Sequence, residues 1–227
     1  MTDPHSLIDK HPGIWRANRH PSGRDRFETG HTPLDNALNG GISTSGLVRI
    51  CSASGIGEVS VFSRVLQAHR QHKLVMFINA PGRLQGDWLT RRQLCCEQVF
   101  QLSTPNDQEA LWAAEQCLKS ASCHAVLLWC SAIHLKQARR LHVAATSNDA
   151  LIFLYMPETA RHTALPVSLD LQLTPTEEGL CVRIKKQLGG WPVDDIRFAF
   201  SYVPTNAPIS RIMETDNTDT GVLRTVS

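Results

Sequence analysis

A near match to a nucleotide-binding phosphate loop occupies residues 51–60, which read CSASGIGEVS. A working loop has the pattern G-x-x-x-x-G-K-[ST] between a strand and a helix. Its glycine-rich backbone surrounds the phosphates, its lysine neutralises their charge, and its hydroxyl residue holds magnesium. On this pattern Ser52 takes the position of the first glycine and Gly57 that of the second. Glu58 and Val59 replace the lysine and the hydroxyl residue.

These two replacements remove the chemistry that a triphosphate needs. Glu58 introduces a negative charge where a positive one is required. At a separation of about 4 Å and an effective dielectric constant of about 20, the interaction with one phosphate charge changes from roughly 4 kcal/mol of attraction to a similar repulsion. Val59 has no oxygen to hold magnesium. Because Gly55 and Gly57 also suit a tight turn, the segment is either an inactivated phosphate loop or a plain strand-to-helix turn.

The strand that would carry a further magnesium ligand also lacks one. Its sequence, AVLLWC, ends in Trp129 and Cys130 where an aspartate is needed, and the second strand leads into INAPGR, which has no carboxylate. With the altered loop, these residues predict that the chain does not hydrolyse ATP, is not an enzyme and uses no cofactor. The segment GISTSG is not a nucleophile elbow, and Asp194 and Asp195 form a turn pair, so we assign no catalytic residue.

The composition restricts the remaining function classes. The chain has 227 residues, of which 42% are apolar, and a formal net charge of +2. This charge is too small to argue for direct binding to nucleic acid or to a membrane, and the apolar runs are too short to span a bilayer. The seven cysteines include no C-x-x-C pair, so neither a metal site nor a disulfide framework is predicted. No apolar signal segment begins the chain, so we expect a cytoplasmic protein.

Alternating apolar strands and amphipathic helices predict the elements that position the loop. A short helical piece is expected at PLDNAL, and strands at LVRICS, KLVMFINA, QVFQL, HAVLLWC and ALIFLYM. Further helices are expected at 58–71, at 86–96, after a capping box formed by Asn106 and Glu109, and at 133–147. The apolar faces of the last two helices are predicted to contain Leu111, Ala114, Leu118 and Ala121, and Leu135, Ala138, Leu141 and Ala145.

The pattern changes after Pro157. The segments VSLDLQLTP, GLCVRIKKQL and IRFAFSYVP alternate apolar and polar residues with period two, and turn-like residues separate them. This predicts an antiparallel β-meander added to a parallel α/β sheet. Lys185 and Lys186 are adjacent in its middle strand, so we expect them to point from opposite faces, with Arg183 on the face of Lys185.

Four segments resemble the ImuA family, which belongs with the SulA-like branch of degenerate RecA relatives. They are TGHTPLDNALNGG, GIGEVSVF, DQEALWAAEQCLKSASCHAVLLW and RIKKQLGGW, and the resemblance extends over most of residues 12–203. It implies an α/β fold with a RecA-like, mostly parallel sheet flanked by helices and extended by the C-terminal antiparallel meander. The implied domains are a basic extended arm at 1–28, a RecA-like domain with a degenerate phosphate loop at 29–203, and a disordered tail at 204–227.

The resemblance also implies a function and partners. ImuA-like proteins are non-enzymatic accessory factors of SOS-induced, error-prone translesion DNA synthesis. The implied partners are an ImuB-like inactive Y-family polymerase, an error-prone DNA polymerase III alpha-type subunit and RecA, with DNA reached through these proteins. The alternative is a SulA-type inhibitor of cell division that binds FtsZ. Candidate partner-binding residues are Lys73, Trp88, Arg91, Arg92, Lys185 and Lys186; for each, an ordinary packed or solvated role is the competing interpretation.

Overall fold

The structure is a computed structural model that describes residues 26–67, 73–159 and 164–199. Its strands are β1 (Arg26–Phe27), β2 (Ile42–Ser43), β3 (Gly46–Cys51), β4 (Leu74–Ile78), β5 (Val99–Leu102), β6 (Cys123–Trp129), β7 (Leu151–Met156), β8 (Leu169–Pro175), β9 (Gly179–Gln187) and β10 (Val193–Ala199). Its α-helices are α1 (Thr32–Ala37), α2 (Ser63–Gln67), α3 (Gly86–Arg91), α4 (Asp107–Lys119) and α5 (Leu135–Ser147).

Eight strands form one central sheet in the order β10-β9-β8-β3-β7-β6-β4-β5, while β1 and β2 pair separately. From β8 to β5 all neighbouring strands are parallel, and the β8–β9 and β9–β10 pairs are antiparallel. The predicted fold class, a mostly parallel α/β sheet flanked by helices and extended by an antiparallel C-terminal meander, is therefore confirmed. The described fold begins at Arg26, within the segment that the sequence assigned to the arm.

The central strands are buried on both faces, which explains their nearly continuous apolar sequences. Every residue of β3 and β7 is buried. The apolar layer on one face of the sheet lies under the loop after β3 and contains Phe62, Phe77 and Phe153. The layer on the other face lies under α4 and α5 and contains Leu118 and Leu141. These two apolar layers fix the sheet that presents the phosphate-loop position at its edge.

Several helix boundaries and faces differ from the predictions. After β3 a single 3₁₀ turn, Ser60–Phe62, precedes α2, so Glu58 lies in the loop and does not begin the helix; residues 68–71 of the predicted helix lie outside the described part. Helix α3 ends at Arg91, because Gln93 adopts a left-handed backbone with φ of 53°. Ala121, with φ of 57°, likewise lies beyond α4, which ends at Lys119.

The caps and inward faces of α4 and α5 mostly follow the sequence pattern. Asn106 accepts a hydrogen bond from the backbone N–H of Glu109 at 2.9 Å, as the predicted capping box requires. The structure buries the predicted apolar residues Leu111, Ala114, Leu118, Ala138, Leu141 and Ala145. Two predicted residues are exceptions. Leu135, the first residue of α5, is 56% exposed, and Ala121, beyond the end of α4, is exposed as well.

A β-bulge overturns the prediction for the two adjacent lysines. Strand register shifts between Asp170 and Leu171, which face Lys186 and Ile184, so Lys185 is an extra residue. Lys186 donates to the carbonyl of Leu165 at 3.3 Å, on the side of the sheet that α4 and α5 cover. Ile184, one position before Lys185, packs in the layer on the other side of the sheet, so strand alternation puts Lys185 on the same side as Lys186. The two lysines therefore share a face, because a bulge breaks the strict alternation of a strand.

His142 joins α5 to the first central strand. Its Nδ1 atom accepts a hydrogen bond from the backbone N–H of Leu47 at 3.3 Å, so the ring must be neutral at that nitrogen. Burial lowers the pKa of His142, and the nearby charge of Lys186 lowers it further. Across the described ranges, no helix has both the length and the apolar character needed to cross a bilayer.

Candidate functional site

The phosphate-loop position lies at the edge of the sheet where the parallel strands end. The backbone leaves β3 at Cys51, and Ser52 donates its N–H to the carbonyl of Met156 at the end of β7, at 3.1 Å. Strand β6 ends beside β7, with Trp129 facing Tyr155. In open parallel sheets, ligands bind at this edge, so the loop after β3 stands where the sequence pattern requires a nucleotide site.

The loop is closed by its own glutamate. The backbone N–H of Gly55 lies 3.1 Å from each oxygen of the Glu58 carboxylate, and that of Gly57 lies 3.1 Å from Oε2. Gly55 and Gly57 have φ values of 84° and 96°, which let the backbone turn its N–H groups inward. Glu58 itself is 4% exposed. A carboxylate of the chain therefore occupies N–H groups of the kind that bind phosphate in a working loop.

Beside the loop, an aromatic row includes Trp129, the residue at the strand end where the sequence pattern would need a magnesium ligand. The ring of Trp129 stacks on that of Tyr155 with centroids 4.5 Å apart and an interplanar angle of 10°. On its other side it stacks on Phe77, with centroids 6.1 Å apart. The three rings come from neighbouring strands β7, β6 and β4, so the sheet register brings them together. They form a packed apolar surface where an ATPase would hold a hydrated cation.

The hydroxyl of Tyr155 is buried and has no hydrogen-bond partner within the described residues. Burial raises the pKa of Tyr155 well above its ordinary value, and the negative charge of Glu58 raises it further. The phenol therefore stays neutral. A buried hydroxyl without a hydrogen-bond partner is a destabilising arrangement.

The polar side chains along the rest of this edge accept hydrogen bonds from the protein's own backbone. Asn79, after β4, accepts from the N–H of Thr104 at 2.7 Å. Asp107, at the start of α4, accepts from the N–H of Ser131 at 2.9 Å and so ties down the loop after β6. The open cleft above them is also lined by Glu158, and its described lining includes no lysine or arginine. Among the described lining residues, a polyphosphate would meet two carboxylates and no cation.

The described residues contain no group of three or more histidine, cysteine, aspartate or glutamate side chains arranged to hold a metal ion. The cysteines in these ranges have free thiols. The site thus consists of a loop filled by Glu58, an aromatic row and polar residues that hydrogen-bond to other groups of the protein. The hydroxyl of Ser131 also donates to the Asp107 carboxylate, so this carboxylate too is held by groups of the protein itself.

The candidate partner-binding residues fall into separate places. Lys73 donates to the carbonyl of Asn148 at 3.3 Å, which caps the C-terminal end of α5. Trp88 is half-buried against the core under α3. Arg91 is exposed and Arg92 half-buried at the end of the same short helix. Lys73 is therefore bound to the fold through its ammonium group, while Trp88 and the two arginines lie together around α3.

Sequence reasoning did not identify a buried ion pair in the sheet. Arg49 of β3 and Asp170 of β8 are register partners, and their side chains form a two-point ion pair in which Nε lies 2.8 Å from Oδ1. Both side chains are 7% exposed. The hydrogen bond to Asp170 raises the pKa of Arg49 above its ordinary value, against the opposing effect of burial. The two residues are 121 positions apart, so only the strand order reveals the pair.

A second unpredicted cluster joins α4 and α5. Glu115 of α4 is 8% exposed and receives Lys119 at 2.7 Å as well as a two-point contact from Arg140 of α5. Burial alone would raise the pKa of Glu115, but the hydrogen bonds from these cations lower it below its ordinary value. Nearby on α4, Trp112 is 63% exposed. The apolar pattern of α4 gave no sign that the outer surface of this helix combines a buried carboxylate with an exposed tryptophan.

Comparison with known proteins gives limited information. No protein-family model matches the chain, and no curated protein matches its sequence. Among solved structures, the crystal structure of SulA from Pseudomonas aeruginosa is similar over 49% of this chain and 97% of that chain, with 20% sequence identity and a TM-score of 0.41. A likeness of this strength is too weak to assign a function or a family.

Proposed function

We propose that this chain is a non-enzymatic accessory protein of damage-induced, error-prone translesion DNA synthesis. It binds an ImuB-like inactive Y-family polymerase and RecA, and brings them to an error-prone DNA polymerase III alpha-type subunit. The resemblance of four sequence segments to the ImuA family supports this choice of partners. The non-enzymatic part of the proposal rests on the Glu58 carboxylate, which fills the phosphate loop at 3.1 Å from the N–H groups of Gly55 and Gly57.

A filled loop has a consequence for how such a scaffold works. In a nucleotide-dependent protein, loss of the terminal phosphate releases the loops that the phosphate holds, and partner binding changes with it. Here the anion belongs to the chain and cannot be hydrolysed. The edge of the sheet therefore keeps one conformation, and the scaffold binds its partners whether or not ATP is present. The near-neutral net charge of +2 supports contact with DNA through the partner proteins.

The experiment is a binding measurement with purified proteins. The full chain is immobilised and titrated with the ImuB-like polymerase relative, with RecA, and with FtsZ as the competing partner, each with and without ATP. Saturable binding of the polymerase relative, unchanged by ATP, supports the proposal. A phosphate-release assay on the chain alone should give the background rate.

Two results would contradict the proposal. Binding to FtsZ together with loss of FtsZ GTPase activity, and no binding to the polymerase relative, would move the chain to the division-inhibitor class. Phosphate release above background that disappears in a Glu58→Ala variant would show that the loop turns over nucleotide. The two outcomes concern different parts of the proposal, the partner and the absence of catalysis, and can be told apart.

A further inference from the structure

The outer surface between α4 and α5 has features that the fold does not need. The two helices run side by side, and Gln137 and Arg140 of α5 share a groove with Trp112 and Glu115 of α4. The groove continues toward the ends of the helices, where Val143 and Ala144 line it. Trp112 is 63% exposed and Val143 is 55% exposed. Large apolar side chains at this level of exposure are common at binding surfaces and contribute little to a core.

The groove is lined mainly by positively charged side chains. The lower part of the groove is lined by four cations and a single carboxylate, a net charge of +3: Lys119, Lys136, Arg139, Arg140 and Glu115. The Glu115 carboxylate is already held by Lys119 at 2.7 Å and by Arg140. For Lys136 and Arg139 the structure gives no ion pair with any residue of the described ranges. Both side chains are exposed on α5.

We propose that the groove between α4 and α5 binds an acidic, amphipathic helix of a protein partner. An apolar strip with cations along its rim is complementary to a helix that has leucine-like residues on one side and carboxylates beside them. The groove is about three helical turns long, from Gln108 to Ser147 across the two helices, which matches one short segment. Trp112 would be the buried anchor at one end, and Arg139 the charge that orients the segment.

Nucleic acid is the other polyanion that four cations could bind, but the details favour a peptide. Val143 and Ala144 offer apolar contact, which a sugar-phosphate chain uses poorly. A helix with spaced carboxylates can place its charges at the rim and its apolar residues in the centre.

The inference rests on the proposed function, because the ImuB-like polymerase relative serves as the source of the helix in the test. The full-length chain is titrated with this purified protein by a surface-binding assay. Arg139→Glu reverses the rim charge, and Trp112→Ala removes the anchor. Arg197→Glu makes the same charge change on β10, at the far edge of the sheet, and Trp191→Ala removes another exposed tryptophan, so they are the matched controls.

We expect each groove variant to weaken binding about 10-fold, and each control to change it less than about twofold. Binding of the wild type should also weaken as salt is raised from about 50 to about 300 mM. All four positions are exposed, so thermal unfolding should stay near that of the wild type. Equal binding by wild type and groove variants would overturn the inference and leave the proposed function standing.

Two further outcomes are decisive. If the wild type does not bind the polymerase relative at all, the proposed function and the inference both fall. If the groove variants bind the polymerase relative normally but lose affinity for a single-stranded oligonucleotide of about 20 nucleotides, the groove is a nucleic-acid surface and the peptide proposal is wrong. If Trp112→Ala binds as well as the wild type and only Arg139→Glu loses affinity, Trp112 is not an apolar anchor. The amphipathic-helix proposal would then be wrong.

Discussion

Replacing Glu58 with alanine should loosen the phosphate loop and turn it into an anion site. Glu58 satisfies two backbone donors, the N–H groups of Gly55 and Gly57, at 3.1 Å. A hydrogen bond to a charged group contributes roughly 1.5–3 kcal/mol, and water can replace part of it because Gly55 is exposed. We therefore expect Glu58→Ala to lower the free energy of unfolding by about 2 kcal/mol, which corresponds to a fall of about 4–8 °C in Tm for a domain of this size.

The same variant frees two N–H groups for an external anion. If phosphate binds there with a dissociation constant of about 10 mM, phosphate at about 100 mM restores roughly 1.4 kcal/mol of stability. The assay is thermal unfolding in phosphate and in chloride at equal ionic strength. Glu177→Ala, in an exposed turn, is the control for the change of net charge. A wild type that phosphate stabilises as much as the variant, or a variant with unchanged Tm, would refute the closed loop.

Three further changes test the surrounding structure. Tyr155→Phe removes a buried hydroxyl that lacks a partner in the described part of the chain, so stability measured in urea should stay equal or rise by about 1 kcal/mol; a loss of that size would reveal a partner. His142 has a lowered pKa, so its folded form resists protonation; stability should fall as pH drops from about 7 to about 5.5, and His142→Gln should flatten that dependence. Gly41→Ala should cost about 2 kcal/mol or more in a thermal unfolding assay, because the new Cβ would lie 2.2 Å from the carbonyl of Phe27, whereas Gly55→Ala meets open space and should cost about 1 kcal/mol; equal losses would contradict the contact.

The sheet and most helices could be predicted because their sequence patterns are strong. Apolar runs such as HAVLLWC belong to strands buried on both faces, and the period-two segments after Pro157 belong to the antiparallel meander. The predictions failed where a helix end or a β-bulge interrupted the regular repeat of inward-facing residues. Ala121 was predicted to lie on the apolar stripe of α4, but its own left-handed backbone places it beyond the helix end at Lys119. A bulge puts Lys185 and Lys186 on one face.

The chemistry of the candidate site was predictable in part. Residue types alone predicted that Glu58, Val59 and Trp129 do not hold a nucleotide and magnesium. They did not show that Glu58 turns its carboxylate into the loop, since a side chain at that position can equally point to solvent. The aromatic row and the Arg49–Asp170 pair depend on which strands are neighbours, and strand order follows from the packing of the whole sheet.

The proposed scaffold binds its partner while its phosphate loop stays permanently filled. The most direct test is the affinity of the purified chain for the ImuB-like polymerase relative, measured with and without ATP. We predict saturable binding with the same affinity in both conditions, for the wild type and for Glu177→Ala. No binding, or an affinity that ATP changes several-fold, would contradict the claim.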